Sequence, residues 1–163
     1  MRRLLFVGCV LLLALFVALL FRALRLGQYI QGMTQPSGQA EPGTLPQSFP
    51  RWEELPTGEL SFWACPAAEF SHGYAQGSLQ FENAAASAYT LVFELTATLN
   101  KKTTLVYRSP PIPPGYVLNG AKLTLPLRKG IYQATCIAYA YEMESDTPAA
   151  RSEEQVITIT VLN

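Results

Sequence analysis

The chain has 163 residues, of which twelve are Lys or Arg and twelve are Asp or Glu, so its formal net charge is zero. The first 25 residues hold four arginines and no acid, and the remainder carries eight basic against twelve acidic side chains. A body of about 138 residues is long enough for one domain with a real core. Its mildly acidic balance, without a basic patch, excludes a nucleic-acid partner.

The longest apolar stretch is Leu4–Phe21, eighteen consecutive residues without a charge. As a helix it would span roughly 27 Å, close to the hydrocarbon thickness of a bilayer. A cleaved signal peptide would end in small residues, whereas this stretch ends in Phe21-Arg22. A lipoprotein signal is also disfavoured, because Cys9 precedes most of the apolar run. We therefore predict that residues 1–26 form an uncleaved transmembrane anchor.

The arginines around this stretch bear on its orientation. Arg2 and Arg3 precede it, and Arg22 and Arg25 follow it, so the charge bias is small. A three-residue head before a large C-terminal body favours an N-terminus inside the cell. We expect a single-pass protein of the cell membrane with its C-terminal domain outside the cytoplasm.

Residues 27–58 contain five prolines and five glycines, interspersed with Gln, Ser and Thr. Such a segment buries too little apolar surface to offset its ordering entropy. Its prolines favour extended conformations, so we predict a partly stiff tether between the membrane and a domain at residues 59–163.

The sequence of the domain predicts short strands separated by turns. The clearest is Tyr89–Leu99, in which apolar residues alternate with Thr and Glu at a period of two. The strands predicted are Leu60–Cys65, Ser78–Glu82, Tyr89–Leu99, Thr103–Arg108, a hairpin of Tyr116–Leu118 and Ala121–Leu127, Ile131–Tyr141 and Glu154–Leu162. About seven strands without a helical period predict a mainly β protein, an antiparallel β-sandwich.

Three further segments have compositions that predict their structure. Asn119-Gly120 suits a type I′ turn between two strands. Ser109–Gly115 contains four prolines, so it must be a rim loop or a crossing between sheets. Ile131–Tyr141 is apolar or small on both faces, which predicts a central strand between packed layers. We expect loops at residues 66–77 and 142–153.

The segments LQFEN (79–83), LVYRSPPIPPG (105–115) and LTLPLRKGIYQATCIAYAYE (123–142) carry a family resemblance. In this order they resemble small, mostly uncharacterised bacterial extracytoplasmic proteins that have an N-terminal membrane segment. The resemblance covers roughly residues 78 to 163 and implies an immunoglobulin-like β-sandwich, with no catalytic residue. The chain departs from the usual pattern at Ala84, where Pro is common, and at Cys136, where an aliphatic residue is usual.

Two cysteines lie in the body, Cys65 and Cys136, 71 residues apart. Outside the cytoplasm they could form one disulfide, worth roughly 4 kcal/mol in the chain-entropy model. Two buried free thiols are the alternative. One pair gives no framework pattern, so the sequence leaves both open.

No catalytic, metal or cofactor site can be read from the sequence. The single histidine, His72, lies in a loop without a nucleophile motif around its neighbour Ser71. One histidine and two distant cysteines do not complete a zinc site. We therefore predict a protein that is not an enzyme and needs no cofactor.

The remaining sequence features that bear on function are side chains expected at the surface of the domain. We expect a membrane-tethered module of the cell envelope that contacts a protein partner at the cell surface, for example through an exposed edge strand. The alternative is a module that binds carbohydrate or the cell wall. Its contact surface would be four aromatic residues near the start of the domain: Phe62, Trp63, Phe70 and Tyr74.

Overall fold

The structure, a computed structural model, describes residues 36–45, 60–142 and 145–163. These ranges belong to one compact unit, Pro36–Asn163. The predicted anchor at residues 1–26 lies outside them, as does most of the predicted tether. Within the described ranges no helix is long and apolar enough to cross a membrane.

The described residues form a mainly β protein with ten strands in two sheets. The strands are β1 (Ala40–Pro42), β2 (Phe62–Ala64), β3 (Ala67–Phe70), β4 (Gln76–Asn83), β5 (Thr90–Leu99), β6 (Lys102–Arg108), β7 (Tyr116–Lys122), β8 (Gly130–Tyr141), β9 (Ala150–Arg151) and β10 (Gln155–Val161). One sheet has the order β1-β7-β4-β2, and the other has the order β3-β10-β8-β5-β6, with β9 paired to β8. The predicted two-sheet, mainly β architecture is therefore confirmed for this part of the chain.

The core lies between the two sheets and is centred on aromatic rings. Phe81 of the four-stranded sheet stacks on Phe93 of the six-stranded sheet, and the edge of Phe62 also contacts Phe93. The inward residues of β8 are small: Ala134, Cys136, Ala138 and Ala140. Large rings from one sheet thus fill the space above small residues of the other, which keeps the packing dense.

The proline-rich segment after β6 crosses from one sheet to the other, one of the two alternatives predicted for it. Ile112 exchanges backbone hydrogen bonds with Leu91 at 3.0 and 2.8 Å before the chain enters β7. The buried side chain of Asn83 holds the crossing in place. Its amide donates to the carbonyls of Tyr89 and Ile112, both at 2.8 Å.

Three short strands differ from the expectations. β1 lies inside the predicted tether, where it pairs with β7 and where the Ser37 carbonyl accepts a hydrogen bond from the Tyr107 hydroxyl at 2.9 Å. β3 and β9 lie in predicted loops. β3 runs parallel to β10, so the sandwich is not purely antiparallel. Backbone pairing of two to four residues creates these strands, and so short a pairing leaves no apolar alternation in the sequence.

The predicted hairpin at Asn119-Gly120 is wrong, because β7 runs through these residues as one strand. The register between β4 and β7 shifts between Gly77 and Gln80, where a bulge sits opposite Gly120. Gly120 has a φ of +90°, and a Cβ there would lie 2.7 Å from Nε2 of Gln76. A glycine suited to a turn also suits a bulge.

Candidate interaction surface

The outer side of the six-stranded sheet is a regular surface in the described part of the chain, built on strands of up to twelve residues. We call it the β8 face and define it by the outward residues of β5, β8 and β10. Alternation places their neighbours in the core, since Phe93, Cys136 and Ile157 are buried. The outward residues are Thr90, Val92, Glu94, Thr96, Thr98, Ile131, Gln133, Thr135, Ile137, Tyr139, Tyr141, Val156, Thr158, Thr160 and Leu162.

The outward residues of the three strands carry a single charged side chain. Thr135 lies in the middle, paired with Thr96 on one side and Val156 on the other. The one charged side chain among the outward residues of the three strands is Glu94, whose Oε1 lies 2.9 Å from a guanidinium nitrogen of Arg108 on β6. Because the Arg108 side chain is about half exposed, the ion pair contributes little to stability. Its effect is to leave the face without net charge.

Several apolar residues of the face are open to solvent. Ile131 is 72% exposed and Val156 is 56% exposed. The sequence prediction for this strand is therefore half right. β8 is central in its sheet, but its outer side is exposed or partly exposed. The apolar outer residues that suggested a second packed layer instead form an exposed surface, which period-two patterning alone cannot distinguish from a buried one.

Two grooves adjoin the sheets. One, of about 470 Å³, opens at the end of the β8 face, where Val92 and Tyr141 meet Arg108 and Asp146. The other, of about 340 Å³, has polar walls that include Asn119 and is lined by residues of β7, by Gln76 of β4 and by residues in and just before β1. Neither has a histidine or cysteine among the described residues that line it. No group of three or more His, Cys, Asp or Glu in the described ranges could hold a metal.

The predicted aromatic contact surface is not formed. Phe62, Trp63 and Phe70 belong to the hydrophobic core, and Phe70 is completely buried. Tyr74 is the exception, since it is 67% exposed. Closeness in sequence suggested a shared surface, but the chain passes from one sheet to the other between Ala64 and Ala67, which carries these rings into the core.

The two body cysteines are free and buried in the structure. The backbone N–H of Gln80 donates to Sγ of Cys65 at 3.3 Å. Burial raises the pKa of Cys65 to about 11. Burial, and to a lesser degree the nearby Cys65, also raises the pKa of Cys136. Such thiols are protonated and poorly nucleophilic at neutral pH. The sequence leaves a disulfide and two free thiols both open, and the structure has the two residues as free thiols.

His72 lies in the loop after β3 and is exposed. Its Nδ1 accepts a hydrogen bond from the backbone N–H of Tyr74 at 3.3 Å, so it has a local role in the turn. Neither groove includes it among its described lining residues.

The fold and the site together define a two-sheet β protein whose outer sheet face carries one ion pair, Glu94–Arg108, across β5 and β6. No protein-family model matches the chain, and no curated protein matches it. Among solved structures, the chain is similar to one described as the structure of WR4, a C. elegans MSP family member. The identity is 12% and the TM-score is 0.37, over 63% of this chain and 97% of the other. At this level the similarity carries no argument about function.

Proposed function

We propose that the chain is a membrane-tethered interaction module of the cell envelope whose β8 face contacts a protein partner. The observation that carries the proposal is the β8 face itself, which combines exposed Ile131 and Val156 with the absence of net charge. Ile131 pairs with Thr160 and Val156 pairs with Thr135, so the two exposed apolar side chains lie at separate points of one regular face. The outward residues of the three strands are uncharged apart from Glu94, which is paired with Arg108, and depletion of charge is typical of the core of a protein interface.

The margins of the face support the same function. Glu69, Arg151 and Glu154 are exposed and lie beside its outward rows. A charged margin around a face without net charge matches the polar rim that surrounds the core of an interface. The carbohydrate alternative lacks comparable support, because three of its four aromatic rings are buried.

The membrane part of the proposal rests on the sequence. Leu4–Phe21 would anchor the chain, and the family resemblance implies an immunoglobulin-like domain outside the cytoplasm. Protease added to intact protoplasts is expected to remove the body and leave the anchor in the membrane. Complete protection of the body, with digestion after lysis, would place it in the cytoplasm instead.

Photo-crosslinking tests the contact surface in cells that produce the full chain. A benzophenone side chain replaces Thr135 in the middle of the β8 face, and the matched control replaces Asn119, which is exposed on the other sheet. We expect protein adducts from position 135 in clear excess over position 119. Equal or absent adducts from the two positions would contradict the proposed surface.

A further inference from the structure

We propose that one end of the domain binds anionic lipid headgroups, as a second membrane contact besides the proposed anchor. We call it the basic end. It consists of the loop after β3 (71–75), the β5–β6 turn (100–102), the residues before β8 (127–129) and the residues after β10 (162–163). The lipid contact goes beyond the proposed function and rests on it only for the anchor that would keep the domain near a membrane.

Strand pairing brings these four segments to one end of the six-stranded sheet. β8 is antiparallel to both β5 and β10, so it begins where they end. β3 is parallel to β10 and ends at the same place. Two contacts hold the segments in position. The Tyr132 hydroxyl donates to the carbonyl of Arg128 at 2.9 Å, and Gly73 packs so closely on Leu127 that a Cβ would clash with its carbonyl oxygen.

Positive charge is concentrated at the basic end. Its four exposed cations are Lys101, Lys102, Arg128 and Lys129. None of the four segments contains Asp or Glu, and Glu69 near the end of β3 offsets a single charge. Within the described ranges the ion pair is Glu94–Arg108, so the four cations have no carboxylate partner there. A surface with this excess attracts anions.

The charge of the domain is polarised along β8. The loop that leaves the opposite end of this strand carries the exposed acids Glu142 and Asp146. No basic patch is visible in the sequence, because the two pairs of cations at the basic end lie far apart in the chain. Such a separation of charge favours one orientation of the domain at an anionic surface.

Exposed apolar side chains lie among these cations. Tyr74 is in the loop after β3, Ile131 is the second residue of β8 and Leu162 follows β10. Membrane-binding surfaces combine Lys and Arg with aromatic or aliphatic side chains that enter the headgroup region. A soluble polyanion offers no apolar phase to such side chains. The combination therefore favours a lipid surface as the occupant.

The length of the chain favours the same occupant. Nine residues, 27–35, would join the proposed anchor to Pro36, where the described domain begins. Nine residues span at most about 30 Å even when fully extended. A tether this short keeps the domain at a high local concentration of headgroups. Four cations that each bind weakly can then hold the basic end against an anionic membrane.

The test uses the full chain in lipid vesicles, with a fluorescent amino acid in place of Ser71 and an acceptor dye on a lipid headgroup. Vesicles of phosphatidylcholine are compared with vesicles that also contain phosphatidylglycerol. We expect energy transfer to increase with phosphatidylglycerol and to lose the increase at high salt, because salt screens exposed charges. The same label in place of Thr147, in the loop at the opposite end, should show no such increase.

A matched pair of double variants tests the cations. Arg128→Gln with Lys129→Gln removes two charges from the basic end, and the increase should fall about twofold or more. Lys122→Gln with Arg151→Gln removes two exposed charges elsewhere and should leave the increase unchanged. Thermal unfolding of both variants confirms that the fold is intact.

The outcomes separate this proposal from the proposed function. No increase with phosphatidylglycerol overturns the lipid contact, and so does an equal loss in the two double variants. A labelled polyphosphate that binds the chain, while transfer ignores phosphatidylglycerol, makes a soluble polyanion the occupant and also overturns it. Chain that alkali extracts from the vesicles lacks the proposed anchor, and transfer that still depends on phosphatidylglycerol supports the lipid contact alone. Adducts from position 135 report on the β8 face independently.

Discussion

Phe81 and Phe93 stack across the interior with ring centroids 4.3 Å apart and planes at 16°. Phe81 comes from β4 in one sheet, and Phe93 comes from β5 in the other, where the edge of Phe62 also meets it. This pair therefore joins the two sheets directly. Beside Phe93 in the same sheet, its cross-strand partner on β8 is the small residue Ala138.

Truncation of Phe93 should destabilise the domain. Phe93→Ala removes a completely buried ring and is expected to lower the free energy of unfolding by about 3–5 kcal/mol. Urea denaturation followed by circular dichroism measures the loss. The control is Tyr74→Ala, whose exposed ring should cost less than about 0.5 kcal/mol. Equal effects of the two substitutions would mean that the stack is not a core contact.

Asn83→Ala should destabilise the protein without removing much apolar surface. The substitution deletes the amide that donates to Tyr89 and Ile112 and leaves both carbonyls without that donor. We expect a loss of about 2 kcal/mol or more in the free energy of unfolding. Asn119→Ala, at an exposed position, serves as the matched control. A neutral Asn83→Ala would show that the proline-rich crossing is held by other contacts.

The turn between β5 and β6 predicts a stabilising substitution. Asn100 and Lys101 have φ values of 51° and 66°, in the left-handed region. Glycine adopts this region without steric cost, so Lys101→Gly should raise the free energy of unfolding by about 0.5–1 kcal/mol. Lys102→Gly, one residue later and within β6, should instead lower it. The two melting temperatures should move in opposite directions, and a shared decrease would contradict the turn geometry.

The buried thiols predict a loss of stability at alkaline pH. Burial raises the pKa of Cys65 from its ordinary value of 9.0 to about 11, so the folded state keeps a proton that the unfolded state releases. The resulting stability is complete below about pH 9 and is lost as the pH rises toward 11, by about 1.4 kcal/mol per pH unit. Urea midpoints at pH 8 to 10 measure the slope, which Cys65→Ala should reduce. A flat profile in the absence of reductant would indicate a disulfide between Cys65 and Cys136, the other alternative that the sequence leaves open, because a disulfide has no thiol to titrate.

The long strands could be predicted because apolar and polar residues alternate in their sequences as buried and exposed positions alternate in the structure. In β5, Leu91, Phe93 and Leu95 face the core, and their Thr and Glu neighbours face outward. Alternation of this kind is a direct consequence of strand geometry. The short strands β1, β3 and β9 escaped prediction because backbone pairing with a neighbour defines them, and two to four residues are too few for a pattern.

The proposed interaction surface depends less on local sequence than the strands do. Aromatic residues close in sequence suggested a surface at Phe62–Tyr74, but burial depends on which sheet each ring reaches. The β8 face consists of residues from three strands that are distant in sequence. Its neutrality depends on Glu94 meeting Arg108 across β5 and β6. A sequence can show that a strand has two apolar sides, but it does not show which of them is covered.

The sequence by itself determined the mainly β class, the alternation of the long strands and the position of the apolar stretch at Leu4–Phe21, since each follows from local periodicity or length. Tertiary structure decided the rest. Long-range pairing places Ala40–Pro42 beside β7 and buries Phe62, Trp63 and Phe70. It also leaves Ile131 and Val156 exposed on the outer face of the six-stranded sheet. These outcomes depend on pairing between residues far apart in the chain, and local sequence does not encode which distant strand will supply the partner.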